Sequence, residues 1–313
     1  MKNQSIVPSS FLEEEKRPLL VHSSTKKMWA CLIEMVMAFD SLCRRYDISY
    51  VADGGTMLGV ERHRGFIPWD DDIDIIMKRD EYEKLLAHAR ELPEPYFLQE
   101  FHSDPMACRG HAQLRNSRTT AILKCETRNG IPLYTFNQGV FADIFIMDSV
   151  PDDDDEATRF MEMLERKKLE LVAIRDAYAS SFGCCLRLKR HGMKLLWIKI
   201  ISRLFDLSHS ETLLVRRCRE FDRACQKYNG TGTKRFSHLT YQPNPAKRYL
   251  FDSTILDERV YKPFEMVELP VPVRADEYLT QLHGDWHRHV VAPPMHGGLI
   301  VDLDKPYTEY LKK

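Results

Sequence analysis

Four aspartates fall within five positions of "PWDDDIDIIM", residues 68–77, inside a run that is otherwise apolar. Side chains of a strand alternate between its faces. Read as a strand, the segment puts Asp70, Asp72 and Asp74 on one face, and Ile73, Ile75 and Met77 on the other with Asp71. Like charges this close repel and raise one another's pKa values. A cation between them removes the repulsion, and Mg²⁺ is commonly held by one or two carboxylates, with water and substrate phosphates completing the octahedron. The spacing therefore points to Mg²⁺ (or Mn²⁺) on Asp72 and Asp74, with Asp70 close by. A solvated acidic edge strand would not need the apolar frame of Pro68, Trp69, Ile75 and Ile76. An EF-hand loop fits worse: Glu81 stands at the twelfth position from Asp70, but Ile75 occupies the sixth, where the turn demands Gly.

Two further stretches carry chemistry. In "DGGTMLG" (Asp53 to Gly59), Gly54 and Gly55 let backbone N–H groups approach a phosphate, and Thr56 adds a hydroxyl. The pattern is not a P-loop, so the expectation is a phosphate turn on Gly54, Gly55 and Thr56. In "VFADIFIMD", Asp143 stands alone among apolar residues, which is costly unless it meets a charge partner. It is expected to complete the metal site with Asp72 and Asp74, or to act as general base, with Asp70 as the rival base. Asp148, at the strand's end, reads as a turn or cap carboxylate. Strand, glycine turn, then a strand with Asp72-Ile73-Asp74-Ile75 is the order of a nucleotidyltransferase site. Arginine's planar fork suits phosphate oxygens, and Arg62 and Arg115 are the first candidates for that contact.

The elements that must position these groups follow from periodicity. Trp29, Leu32, Ile33, Val36, Phe39 and Cys43 predict a helix over residues 26–46. A short strand "ISYVAD", a helix-forming "KRDEYEKLLAHAREL", and strands "PYFLQEF", "HAQLRNS", "TTAILK" and "GVFADIFIMDSV" follow. Residues 1–25 read as a loosely ordered lead-in, and residues 26–150 as the core of an α+β (mixed α/β) domain with its sheet flanked by helices. Residues 152–229 read as three helices, the first with the acidic turn Asp152–Asp155 that suits the helix dipole. Residues 231–313 return to short strands and the helix "ADEYLTQLHGDWHRH", within the same domain.

"GGTMLGVERHRGFIPWDDDIDIIMKRDEYEKLL" resembles the characteristic motif of the LicD family, bacterial phosphocholine transferases with fukutin and fukutin-related protein as distant members. "QLRNSRTT", "NQGVFADIFIMD" and "DEYLTQLHGDWHRHVVAPP" are similar to later family segments, so the likeness runs from about Trp29 to Pro294. His283 and Trp286 stand where tyrosines are usual. The resemblance implies a nucleotidyltransferase-type fold and metal-dependent transfer of a phosphoalcohol, such as phosphocholine, from a CDP-activated donor to a glycan hydroxyl, with CMP leaving. Lipopolysaccharide and teichoic acid are the acceptors it suggests. It implies Asp72 and Asp74 as metal ligands with Asp70 close by, Asp143 on the second acidic strand, and Gly54, Gly55 and Thr56 at the phosphate turn. The alternative is an NTP-dependent nucleotidyltransferase that releases pyrophosphate.

The 313 residues are 43% hydrophobic and 29% charged, ordinary for a globular chain, with a net charge of −1 that draws no nucleic acid. No signal peptide or spanning segment is legible, so a cytoplasmic chain is expected. The eight cysteines form no C-x-x-C pair and read as reduced, buried thiols. "RLKRHGMKLLWIKIISRLF" (Arg187 to Phe205) reads first as a core-facing helix with a basic exposed side. Its second reading is peripheral contact with an anionic membrane face near a lipid-linked acceptor.

Overall fold

A computed structural model describes residues 7–17, 19–179, 189–290 and 298–311, without the side chains of residues 189–192. The fold is mixed α+β. Seven strands make the main sheet: β1 (Val51–Ala52), β2 (Asp74–Lys78), β3 (Tyr96–Gln99), β4 (Ala112–Asn116), β5 (Val140–Val150), β6 (Arg235–Ser237) and β7 (Phe251–Asp252). The α-helices among the described residues are α1 (Ser23–Arg45), α2 (Gly54–His63), α3 (Arg79–His88), α4 (Asp154–Ala179), α5 (Lys189–Ser208), α6 (Leu213–Cys225) and α7 (Ala275–His283).

The long, apolar β5 is the spine. It runs parallel to β2 on one side, and on the other it pairs antiparallel with β4 through its first half and with β6 at its end. β1 continues the sheet beyond β2, β3 beyond β4, and β7 beyond β6. Strands buried on both faces read as continuous hydrophobic runs, and Val140, Ala142, Ile144, Ile75 and Ile76 are all buried. The apolar stripe of α1 packs against this layer, with Trp29, Leu32, Ile33 and Phe39 fully buried. A second core forms between α4 and α6 from Phe160, Leu164, Leu214 and Phe221.

Several expectations are corrected. The acidic strand begins at Asp74, not before it. The Asp70 N–H bonds Ile67 O in a turn, and Trp29 Nε1 donates to Asp70 O (2.8 Å), which draws residues 70–72 off the sheet plane. The lead-in is not loose throughout: Glu15–Arg17 pairs with Leu19–Val21, and Val7 and Val21 join the main core. The C-terminal helix stops at His283, because Gly284 turns the chain with φ +70°. Cys108 and Cys218 are not reduced thiols but a disulfide, which ties the segment before β4 to α6. Among the described side chains, the side of α5 turned to solvent is mainly apolar (Met193, Trp197, Ile201, Leu204 and Leu207), flanked by exposed Lys194 and Arg203; residues 187–188 and the side chains of residues 189–192 lie outside the described part.

Candidate active site

The sheet register brings the acidic groups together. Asp143 on β5 lies beside Asp74 on β2, and its other neighbour across the sheet is Gln113 on β4. Asp53, just after β1, donates its N–H to Asp74 O (3.0 Å). Four sheet neighbours therefore form one row. The loop before β2 folds back over this row, and oxygens of Asp70, Asp71 and Asp72 all lie within 4.8 Å of one another. Asp71, expected to face away, joins the cluster because the chain there is not a strand. Burial, and then the charges of Asp72, Asp143, Asp53 and Asp70, push the Asp74 carboxyl well above its ordinary value.

The two glycines are the start of α2, not a separate turn. Gly54 has φ +46°, and a Cβ there would sit 3.3 Å from Asp74 Oδ2. At Gly55 a Cβ would come within 2.6 Å of Asp70 Oδ2. Their lack of side chains lets the positive helix end approach the carboxylates. Thr56 is buried, and its Oγ1 accepts the Asp74 N–H (2.9 Å), so it positions Asp74 rather than facing a ligand.

Asp143, within the row, is 7% exposed. Gln113 Nε2 donates to its Oδ1 (2.5 Å), and His111 Nε2 lies 3.2 Å from the same oxygen. Burial holds the His111 imidazole below its ordinary pKa against the pull of Asp143. Arg115, expected to bind phosphate, is 1% exposed. It donates to Gln99 Oε1 (2.9 Å), Gly139 O (2.7 Å) and Gln113 Oε1, and stacks over Phe141. Its guanidinium, pushed down to about 9 by burial, fixes the amide that faces Asp143. Asp148 is not a turn carboxylate: it is fully buried, clamped by Arg79 (2.7 and 2.9 Å) and Asn229 (2.7 Å).

Asp53, Gly54, Gly55, Arg62, Asp70, Asp71, Asp72 and Asp74 open onto one cleft of about 770 Å³. Arg62 Nη1 donates to Trp286 O (3.0 Å) and Arg288 O (3.2 Å), which holds the segment after α7 as a wall. An aromatic group, Phe145, His238, Tyr241 and Tyr249, also walls the cleft. Ring centroids are 4.8 Å apart for Phe145 and Tyr241, and 5.1 Å for His238 and Tyr249. Burial lowers the pKa of the His238 imidazole, against the pull of Asp53 and Gln242.

Residues 47–145 match the family model described as LicD/FKTN/FKRP, nucleotidyltransferase domain. The lipopolysaccharide cholinephosphotransferase LicD of Haemophilus influenzae is 28% identical over 259 residues, which cover 79% of this chain and 85% of the relative. The chain thus resembles the LicD family, with a domain of that type at residues 47–145. An uncharacterised protein of Rickettsia typhi is 35% identical over 71 residues, 22% of this chain and 23% of its own length. One of Rickettsia prowazekii is 43% identical over 51 residues, 16% and 19% of the two chains. The LicD domain match contains the whole acidic row, His111 and Gln113, whereas His238, Tyr241 and Tyr249 lie beyond it.

Asp53, Asp71, His111, Gln113 and the aromatic wall had no distinct signal in the sequence. Asp53 was visible only as the residue before the glycines; the hydroxyl that Tyr278 of α7 donates to it comes from 225 residues away. His111 and Gln113 share the alternation of β4 with Arg115, and only the register with β5 turns that face toward Asp143.

Proposed function

We propose that this chain is a metal-dependent transferase that moves phosphocholine from CDP-choline to a sugar hydroxyl of a lipopolysaccharide-type glycan, releasing CMP. One observation carries the reading: a carboxylate cluster and an aromatic wall share the same cleft. A diphosphate requires a cation at one end, and a quaternary ammonium is attracted to aromatic faces at the other. The similarity to a lipopolysaccharide cholinephosphotransferase supports phosphocholine as the group moved and a lipopolysaccharide as the acceptor class.

The site fits a hard divalent cation, because oxygens of Asp70, Asp71 and Asp72 converge within 4.8 Å, and the Asp74 carboxyl, raised by burial and by the charges of Asp72 and Asp143, gains from any positive charge nearby. Asp72 and Asp74, with Asp70 and Asp71 beside them, would hold Mg²⁺ or Mn²⁺, which when bound neutralises the diphosphate and the charge growing on CMP. The N–H groups of Gly54 and Gly55 at the head of α2 aim positive potential into the same space. Asp70 takes the acceptor's proton in this reading, since it lines the cleft while Gln113 and His111 hold Asp143 behind it. The hydroxyl oxygen bonds to the choline-bearing phosphorus, the bond from that phosphorus to the bridging oxygen breaks, and CMP departs with the electron pair. Arg62 lines the cleft, with Arg288 as a second cation on its wall, and is this reading's candidate for a donor phosphate.

The test is CMP release from CDP-choline and from CDP-ribitol, with a glycan extract as acceptor, in Mg²⁺ or EDTA. Metal-dependent release from CDP-choline that Asp74→Ala abolishes is expected. Pyrophosphate release from a nucleoside triphosphate, with both CDP donors untouched, would overturn the reading in favour of a nucleotidyltransferase.

A further inference from the structure

Helix α5 is built inside out. Its inward side carries Leu195, Lys199, Ser202 and Asp206. Lys199 Nζ donates to Ala177 O (2.9 Å) at the end of α4, and Asp206 accepts from the Tyr178 hydroxyl (2.8 Å) and the Leu213 N–H (2.9 Å). Polar groups thus fasten the helix to the protein. Its outward side carries Met193, Trp197, Ile201, Leu204 and Leu207, of which Trp197 is 60% exposed, Leu204 62% and Leu207 86%.

The spacing of these five is helical, so they form one stripe roughly 21 Å long at about 1.5 Å per residue. At about 100° per residue, the exposed Lys194 lies along one edge of the stripe and the exposed Arg203 along the other. Soluble monomers rarely expose a contiguous apolar face of this kind. A narrow apolar face with an exposed Trp and a cation on each border is the pattern of a helix lying in a lipid interface, with the aromatic ring at headgroup depth and the cations against anionic headgroups. No helix among the described residues is long and apolar enough to cross a membrane, so the contact is lateral.

We propose that α5 docks this protein onto an anionic lipid surface through Trp197, Ile201, Leu204 and Leu207, with Lys194 and Arg203 contacting the headgroups. The arrangement of α5 stands apart from the reaction assigned above; it adds that a lipid-borne acceptor would be met at that surface. The stripe is on the outside of the fold, so it can be altered without disturbing the core.

The experiment is flotation of the full chain with vesicles of phosphatidylethanolamine and phosphatidylglycerol, and with vesicles of phosphatidylcholine alone. Association with the anionic vesicles is expected, weaker by about tenfold on the neutral ones and lost with salt. Trp197→Glu with Leu204→Glu should reduce the lipid-bound fraction by about tenfold or more, while circular dichroism and CMP release toward a water-soluble acceptor stay unchanged. Lys194→Glu with Arg203→Glu should cut binding to the anionic vesicles alone. Failure to float on either vesicle would overturn the proposal, as would a dimer in sedimentation velocity that Leu204→Glu splits, since a second copy would then cover the stripe. CMP release is read separately, so failure to float leaves the reaction untouched, and failure of the reaction leaves the docking result standing.

Discussion

Strand β5 carries two buried carboxylates five residues apart, and they are treated in opposite ways. Asp148 meets Arg79 in two hydrogen bonds, with Asn229 adding a third, so its charge is matched inside the protein. Asp143 meets the neutral donors Gln113 and His111, and its neighbour across the strand is another carboxylate, Asp74. A carboxylate matched by arginine holds secondary structure together; a row of carboxylates braced by neutral donors gains most from a cation that arrives with a ligand. Sequence pattern separates the two by position, Asp143 within the apolar run and Asp148 at its end, but reads Asp148 as a turn or cap carboxylate rather than a buried ion-pair partner of Arg79.

The comparison can be broken most decisively by alanine at each end. Asp74→Ala is expected to lower CMP release by about 10²–10³-fold or more with the fold intact, whereas Asp148→Ala leaves Arg79 buried beside its remaining partners. That second change is expected to cost about 3–5 kcal/mol of stability, read by denaturant unfolding. Equal loss of stability in both variants would erase the distinction.

A pH experiment sharpens it. The Asp74 carboxyl titrates well above its ordinary value in the fold, so the folded chain retains a proton that the unfolded chain releases at about pH 4. Metal-free stability is therefore full below that pH and declines as pH rises through the folded-state value. Asp74→Asn should remove the decline without metal, and saturating Mg²⁺ should remove it from the wild type. A thermal-melt series in EDTA that is flat with pH would contradict this.

Smaller effects test the braces and the aromatic wall. Gln113→Ala should weaken Mg²⁺ retention and turnover by about 10–100-fold, with Arg115→Ala acting in the same direction through the amide it fixes and also lowering the melting temperature. Tyr249→Leu should raise KM for CDP-choline by roughly 2–30-fold, the size of a cation–π contact of about 0.5–2 kcal/mol. It should leave KM for CDP-ribitol nearly unchanged, because ribitol carries no cation. An equal rise for both donors would assign Tyr249 to general packing.

Much of this molecule was legible in the chain. The apolar periodicity of α1, the paired apolar runs of β2 and β5, and the acidic first turn of α4 are local patterns whose burial follows from 3.6- and 2-residue repeats. The crowding of Asp70 to Asp74 and the isolation of Asp143 also pointed to a place where carboxylates gather, because burying that much like charge is unfavourable in any fold. Tertiary structure decided the rest. Whether Arg115 faces a ligand or a glutamine, whether Asp148 meets Arg79, and whether Asp71 points toward its neighbours depend on register between strands and on loops that leave the sheet. The aromatic wall joins residues 145, 238, 241 and 249, and α5 turns its apolar side outward because Lys199 and Asp206 find their partners on α4 and at the start of α6. A sequence states which groups must be satisfied; only the packed chain determines which of them is satisfied from within and which awaits a ligand or a surface.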